Sequence, residues 1–166
     1  MVLKEYELFI ENAIKRLCEN SRFPQTAKYK QHGSLNIYEH SIAVAYTSCW
    51  IAYSLHFKVD YETLIRGALL HDYFLYDWHD KNKDCRLHAF SHPRKALQNA
   101  YEDFELTPKE ENIILRHMFP LTPVPPCYLE SWIVCVADKF CALKETLRIN
   151  DIQLKNIRGA YQYDFK

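Results

Sequence analysis

Two carboxylates sit in sequence surroundings that penalise charge. Asp138 is the single acid among Trp132, Ile133, Val134, Cys135, Val136, Ala137, Phe140 and Cys141, while Asp72 follows Leu69, Leu70 and His71 and precedes Tyr73 and Phe74. A carboxylate taken out of water without a partner is strongly disfavoured, so each of these needs a cation. Lysine or arginine would answer that need; a metal ion answers it better where histidines converge. His40, His71, His92 and His117 each stand at or beside an apolar helical run. Neutral imidazoles with carboxylates are a ligand set for Mn²⁺, Fe²⁺ and Zn²⁺, and such metals make hydroxide available as a nucleophile near neutral pH. The six cysteines form no Cys-x-x-Cys pair and read as buried thiols, not as a disulfide framework or a thiolate zinc site.

The elements that must position these groups read as helices. Apolar residues recur at helical spacing and no sustained alternation appears, which predicts an all-α fold. With 166 residues, 48% of them hydrophobic, the chain has room for one domain with a substantial core. A first helix is expected over 4–19, with Leu8, Ala13, Ile14 and Leu17 inward, ended by Phe23-Pro24. Asn36 with Glu39 forms a capping box for a helix to about His56 that is apolar on nearly every side. Asp60 caps a helix from Tyr61 to Leu70. Ser91-His92-Pro93 reads as the start of a helix to about Phe104, and Thr107 with Glu110 opens another. Four prolines between Phe119 and Cys127 predict an extended arm. The most apolar helix follows, Tyr128 to about Leu147, and a last amphipathic helix is expected over 151–166.

Twenty-one basic residues balance twenty-one acidic ones, which leaves no electrostatic footprint for extended nucleic acid but permits small anions. Three glycines supply neither a Walker loop nor a dinucleotide fingerprint. Charges spread through the first twenty residues fit neither a signal peptide nor a membrane span, so a cytoplasmic location with no membrane partner is expected.

The order histidine, histidine-aspartate, aspartate, carried here by His40, His71-Asp72 and Asp138, resembles the HD-domain phosphohydrolase superfamily. His92-Pro93 and His117 are similar to the two extra histidines of its dinuclear members. The resemblance covers about 36–147 and implies one HD-type helical bundle of about six to seven helices spanning 1–166. It further implies that Asp72 bridges two metals, with His40, His71 and Asp138 completing one site and His92 and His117 the other. The chain lacks the Gly-Tyr-Pro signature of the cyclic-dinucleotide phosphodiesterase branch. Where many relatives carry a lysine past the doublet it reads Tyr73-Phe74-Leu75-Tyr76-Asp77.

The expected activity is hydrolysis of a small phosphate ester, a nucleotide or related metabolite, by metal-activated hydroxide attack on phosphorus. The cofactors would be two divalent ions drawn from Mn, Fe, Zn, Co, Ni and Mg. Two such ions against two carboxylates leave a charge of roughly +2, or roughly +1 with a bridging hydroxide, which attracts phosphate. Asp72, His71, Asp77 and Lys139 are the catalytic candidates; Arg94, Lys95, Arg116 and His88 are candidates for binding the substrate. The aromatics Tyr73, Phe74, Tyr76 and Trp78 suit either a nucleobase or the protein's own core. A di-iron oxygenase and a non-catalytic nucleotide- or metal-binding regulatory module are the alternative readings.

Overall fold

The computed structural model describes residues 2–31, 35–76 and 88–147, with the side chains of 2–5, 88 and 89 outside that description. Its elements are α1 (Val2–Cys18), a 3₁₀ turn (Phe23–Lys28), α2 (Ile37–Ser54), α3 (Tyr61–Leu70), α4 (His88–Asp103), α5 (Pro108–Arg116) and α6 (Leu129–Thr146). Among the described residues there is no sheet, only an isolated bridge between Lys30 and Asn36. The expected tail helix over 151–166 lies outside the described residues.

The caps form as the sequence predicts. Asn36 accepts from the Glu39 amide and Glu39 reaches back to the Asn36 amide, which fixes the start of α2 three residues before His40. Asp60 caps α3, and Thr107 with Glu110 boxes α5. Arg66, in the middle of α3, pairs with buried Glu110 at 3.1 Å, tying α3 to the first turn of α5. α2 is the central helix, packed chiefly on α3 and α6, while α5 packs on α3, α4 and α6. Where α3 meets α5, a Cβ on Gly67 would run into the Ile113 side chain, so only glycine permits that approach.

Four expectations need correction. Leu8 is exposed, because the inner stripe of α1 runs through Ile10, Ala13, Ile14 and Leu17, and a residue two places from Ile10 points to the opposite side. α4 begins at His88, not at Ser91, and carries Pro93 inside it. Pro93 keeps a helical φ but forfeits the bond to the carbonyl four residues back and crowds that carbonyl, which lies in the first turn of the helix. The arm after α5 is not extended at first: the Thr122 amide donates to the Met118 carbonyl, folding the segment into turns before Pro125. Finally, not every cysteine is a buried thiol: Cys127 is exposed on the proline-rich segment, and Cys18 is half-buried. α6, the most apolar helix, still shows one side to solvent. Ile133, Val134, Ala137, Asp138 and Cys141 face the core, while Trp132, Val136 and Phe140 face outward.

Candidate metal centre

Five helices, α2 to α6, deliver the six acidic and histidine side chains to one place, and all six are between 0% and 6% exposed. His40 lies in the first turns of α2 and Asp138 in the middle of α6. His71 and His117 are the C-cap residues of α3 and α5, and both keep right-handed helical backbone angles. Their local design is the same. His71 Nδ1–H donates to the Ala68 carbonyl at 2.7 Å, and His117 Nδ1–H to the Ile114 carbonyl at 2.8 Å. Each ring thereby satisfies a carbonyl that the end of a helix leaves open, and each is fixed with its Nε2 lone pair turned inward. Two helix C-termini also point their negative dipole ends at this spot, which favours a cation.

The carboxylates complete two overlapping groups. Asp72 Oδ2 lies 3.3 Å from His71 Nε2 and 3.8 Å from His40 Nε2, and Asp138 Oδ1 lies 3.1 Å from His40 Nε2 and 3.6 Å from His71 Nε2. The other oxygen of Asp72 turns the opposite way: Oδ1 is 3.2 Å from His92 Nε2 and 3.4 Å from His117 Nε2. Within each group, His40, His71, Asp72 and Asp138 or Asp72, His92 and His117, the donor atoms lie within 4.8 Å of one another. Asp72 alone belongs to both. Among the described residues, the ion pairs of Asp138 are with imidazoles, not with lysine or arginine.

These atoms fit a cation on their own chemistry. His71 Nε2 and Asp72 Oδ1 are buried and make no hydrogen bond among the described residues. An imidazole lone pair facing a carboxylate oxygen at 3.3 Å repels it unless a proton or metal ion stands between them. The protonation equilibria express the same demand. Burial works to lower the pKa of His40, but hydrogen bonds to Asp138 and Glu145 outweigh it and hold the group up at about 9. Burial likewise opposes protonation of His71, yet the charge of Asp72 and the contacts to Asp138 hold it at about 10. The carboxyls move the other way: against burial, the surrounding imidazoles keep both Asp72 and Asp138 well below the usual carboxylate range. His117 is pushed below the ordinary histidine value by burial, with His71 and His92 repelling its charge.

The chain matches the HD domain family over residues 37–143, a span that contains all six of these side chains. The chain belongs to the HD-domain family. A search among curated proteins finds no match, and neither does one among solved structures. HD domains are mostly metal-dependent hydrolases that bind divalent metals, and the buried histidine and aspartate groups of this one could hold such ions.

The remaining candidates fall in different places. Lys139 does not point at the cluster's carboxylates: its ammonium donates to the His117 carbonyl at 2.6 Å and to the Cys135 carbonyl at 3.3 Å. Arg94 and Lys95 are exposed on α4, Lys95 reaching Gln98, and Arg116 is half-buried beside His117. Asp77, with Trp78 and His79, and the side chain of His88 lie outside the described residues. Tyr73 and Phe74 are fully buried, so they belong to the core and not to a nucleobase platform. Tyr73 donates its hydroxyl to Asp103, which also receives Arg22 Nε at 2.9 Å, and Asn99 Nδ2 donates to the Tyr73 carbonyl at 2.9 Å. Those bonds pin the residue after Asp72 to α4, the helix that carries His92.

Two supporting residues are not evident from sequence patterning. Glu145 accepts from His40 Nδ1–H at 2.9 Å and thereby turns His40 Nε2 toward Asp138. It stands seven residues after Asp138, two turns along the same face of α6, a spacing that could have flagged it. Gln31 is buried and donates its amide to Asp72 Oδ2. It sits in a polar connector, where no periodicity marks it.

Proposed function

We propose that this HD domain is a metal-dependent phosphohydrolase that cleaves a small phosphate ester, a nucleotide or related metabolite, with two divalent ions per chain. His40, His71 and Asp138 would hold one ion and His92 and His117 the other, with Asp72 between them. Ions held there would supply positive charge that draws phosphate and would lower the pKa of a water toward neutrality for attack on phosphorus.

The chain's own groups prepare the site. Glu145 and the carbonyls of Ala68 and Ile114 hold three imidazoles in the tautomer that leaves Nε2 free. Gln31 steadies Asp72, and Lys139 straps the backbone of His117 to α6. Burial keeps bulk water from the ligands and strengthens every charge interaction among them. Arg94, Lys95, Arg116 and His88 are proposed to guide or bind the phosphate, and Asp77 to serve in proton transfer.

The observation that carries this reading is the division of labour at Asp72, whose two oxygens face different pairs of histidines. The test is a phosphate-release screen over nucleotides, sugar phosphates and cyclic dinucleotides with Mn²⁺, Fe²⁺, Co²⁺ or Mg²⁺. Release by the native chain and none by Asp72→Ala is expected. Metal-loaded protein that releases no phosphate from any of them overturns the hydrolase reading, and turnover that requires oxygen replaces it with an oxidative one.

A further inference from the structure

The outward side of α6 has no use in this chemistry and is unusual for a solvent-facing helix. Its exposed large apolar residues are Leu129, Trp132, Val136, Phe140, Leu143 and Leu147, the last being its C-cap. Their spacing of three or four residues places them in one continuous stripe along the helix, about 27 Å long. The other exposed positions are Lys139, whose ammonium is turned back onto the His117 and Cys135 carbonyls, and Thr146, whose hydroxyl is bonded to Ala142. Lys144 lies over the Phe140 ring, 4.5 Å from its centre, and so covers part of the stripe with its stem.

The stripe continues off the helix. Phe119 packs edge-on against Trp132 with centroids 5.4 Å apart, and Cys135 Sγ donates to the Phe119 carbonyl, which lays the proline-rich arm against the first half of α6. Leu121 and Val124 on that arm are also exposed. With roughly half of about 200 Å² showing on each of these eight side chains, the surface is on the order of 700–800 Å² per copy. Monomers rarely expose a contiguous apolar patch of that size, and it matches the ~800 Å² that one partner contributes to a stable interface.

We propose that this face pairs with the same face of a second copy of the chain. Its chemistry favours that occupant. Transient interfaces with other proteins are about as polar as the surface around them, whereas homodimer interfaces are the apolar class. Apart from Lys144 over the Phe140 ring, the stripe itself carries no charged group, so it offers little to select a charged partner, and it complements itself across a two-fold axis. A formal net charge of zero imposes no repulsion between copies.

The test is sedimentation of the full chain across a concentration series. A species of twice 19.8 kDa is expected for the native protein. Val136→Glu should weaken its dimerisation about a hundredfold and yield the monomer, with helical circular dichroism unchanged. Leu129→Lys, in the first turn of the helix, reads the same surface should Val136→Glu fail to fold. Leu55→Glu, an exposed apolar position at the end of α2, should stay dimeric. A native chain that is monomeric throughout, its own C-terminal segment or another protein being the true cover, overturns the proposal, as does a dimer that survives the α6 substitutions.

Discussion

The two halves of the histidine cluster rest on different supports. The first, His40, His71 and Asp138 with Asp72 Oδ2, stands on α2, α3 and α6 and has a third carboxylate, Glu145, behind His40. The second, His92 and His117 with Asp72 Oδ1, stands on α4 and α5, and among the described residues its group includes no carboxylate besides Asp72. Its imidazole nitrogens face each other at 2.8 Å, and its backing is a backbone carbonyl, an edge-on Phe74 ring and the Lys139 strap on His117. Among the described residues, negative charge is therefore concentrated on one side. A cation in the first half would meet both Asp72 and Asp138; one in the second would meet Asp72 alone of the described carboxylates. The first half should bind more tightly, fill first and govern the stability of the metal-free chain.

The hardest blow to that asymmetry is Asp72→Ala, which removes the group common to both halves. Elemental analysis should find both metals gone, and phosphate release should fall at least about a thousandfold. Removing one half separates the two. His92→Ala or His117→Ala should cost one metal and leave the other in place, while Asp138→Asn should empty the tighter site. Loss of both metals from His117→Ala would show that the halves do not bind independently. Glu145→Gln sharpens the contrast further: it should weaken the first site about 10–100-fold by releasing the orientation of His40, with the second site unmoved in a competition titration.

The smallest effect is one of pH. Because their values stand at about 9 and about 10, His40 and His71 carry protons at pH 7 in the metal-free chain. An ion entering the first half must displace those protons, so its affinity rises with pH between 7 and 9, up to about tenfold per unit for each proton released. His117 is pushed below the ordinary histidine value and is already neutral there, so its contribution to the second half changes little over the same range. Metal-binding titrations at several pH values measure both slopes, and equal slopes would erase the distinction.

What the sequence disclosed, and what it withheld, follows from how far each signal reaches. Asp138 and Asp72 stand out because an acid inside an apolar run needs a partner, and His71 and His117 because they close apolar helices. Caps at Asn36, Asp60 and Thr107 are written within four residues and form as expected. Glu145 meets His40 across 105 residues and Gln31 meets Asp72 across 41, distances at which local patterning says nothing about contact. Helical spacing likewise shows that α6 is apolar without showing which of its sides has a neighbour. Leu8 fails for a related reason: an apolar residue near a helix start is no guide to the stripe until its phase relative to Ile10 and Ile14 is known.

One missing methyl group sets the gauge of the whole arrangement. Gly67 and Ile113 touch one turn before His71 and His117, whose rings end up 4.9 Å apart. A methyl at Gly67 would meet not only the end of the Ile113 side chain but its Cβ and Cγ2, both at 3.2 Å, so a simple rotation could not clear it. The two rods would have to separate, and their tips would carry the shift to the imidazoles. Metal–ligand bonds tolerate about 0.2 Å. The spacing of the two imidazoles, and with it the size of ion they could hold, is thus set partly by a contact between a glycine and an isoleucine that stand outside the cluster.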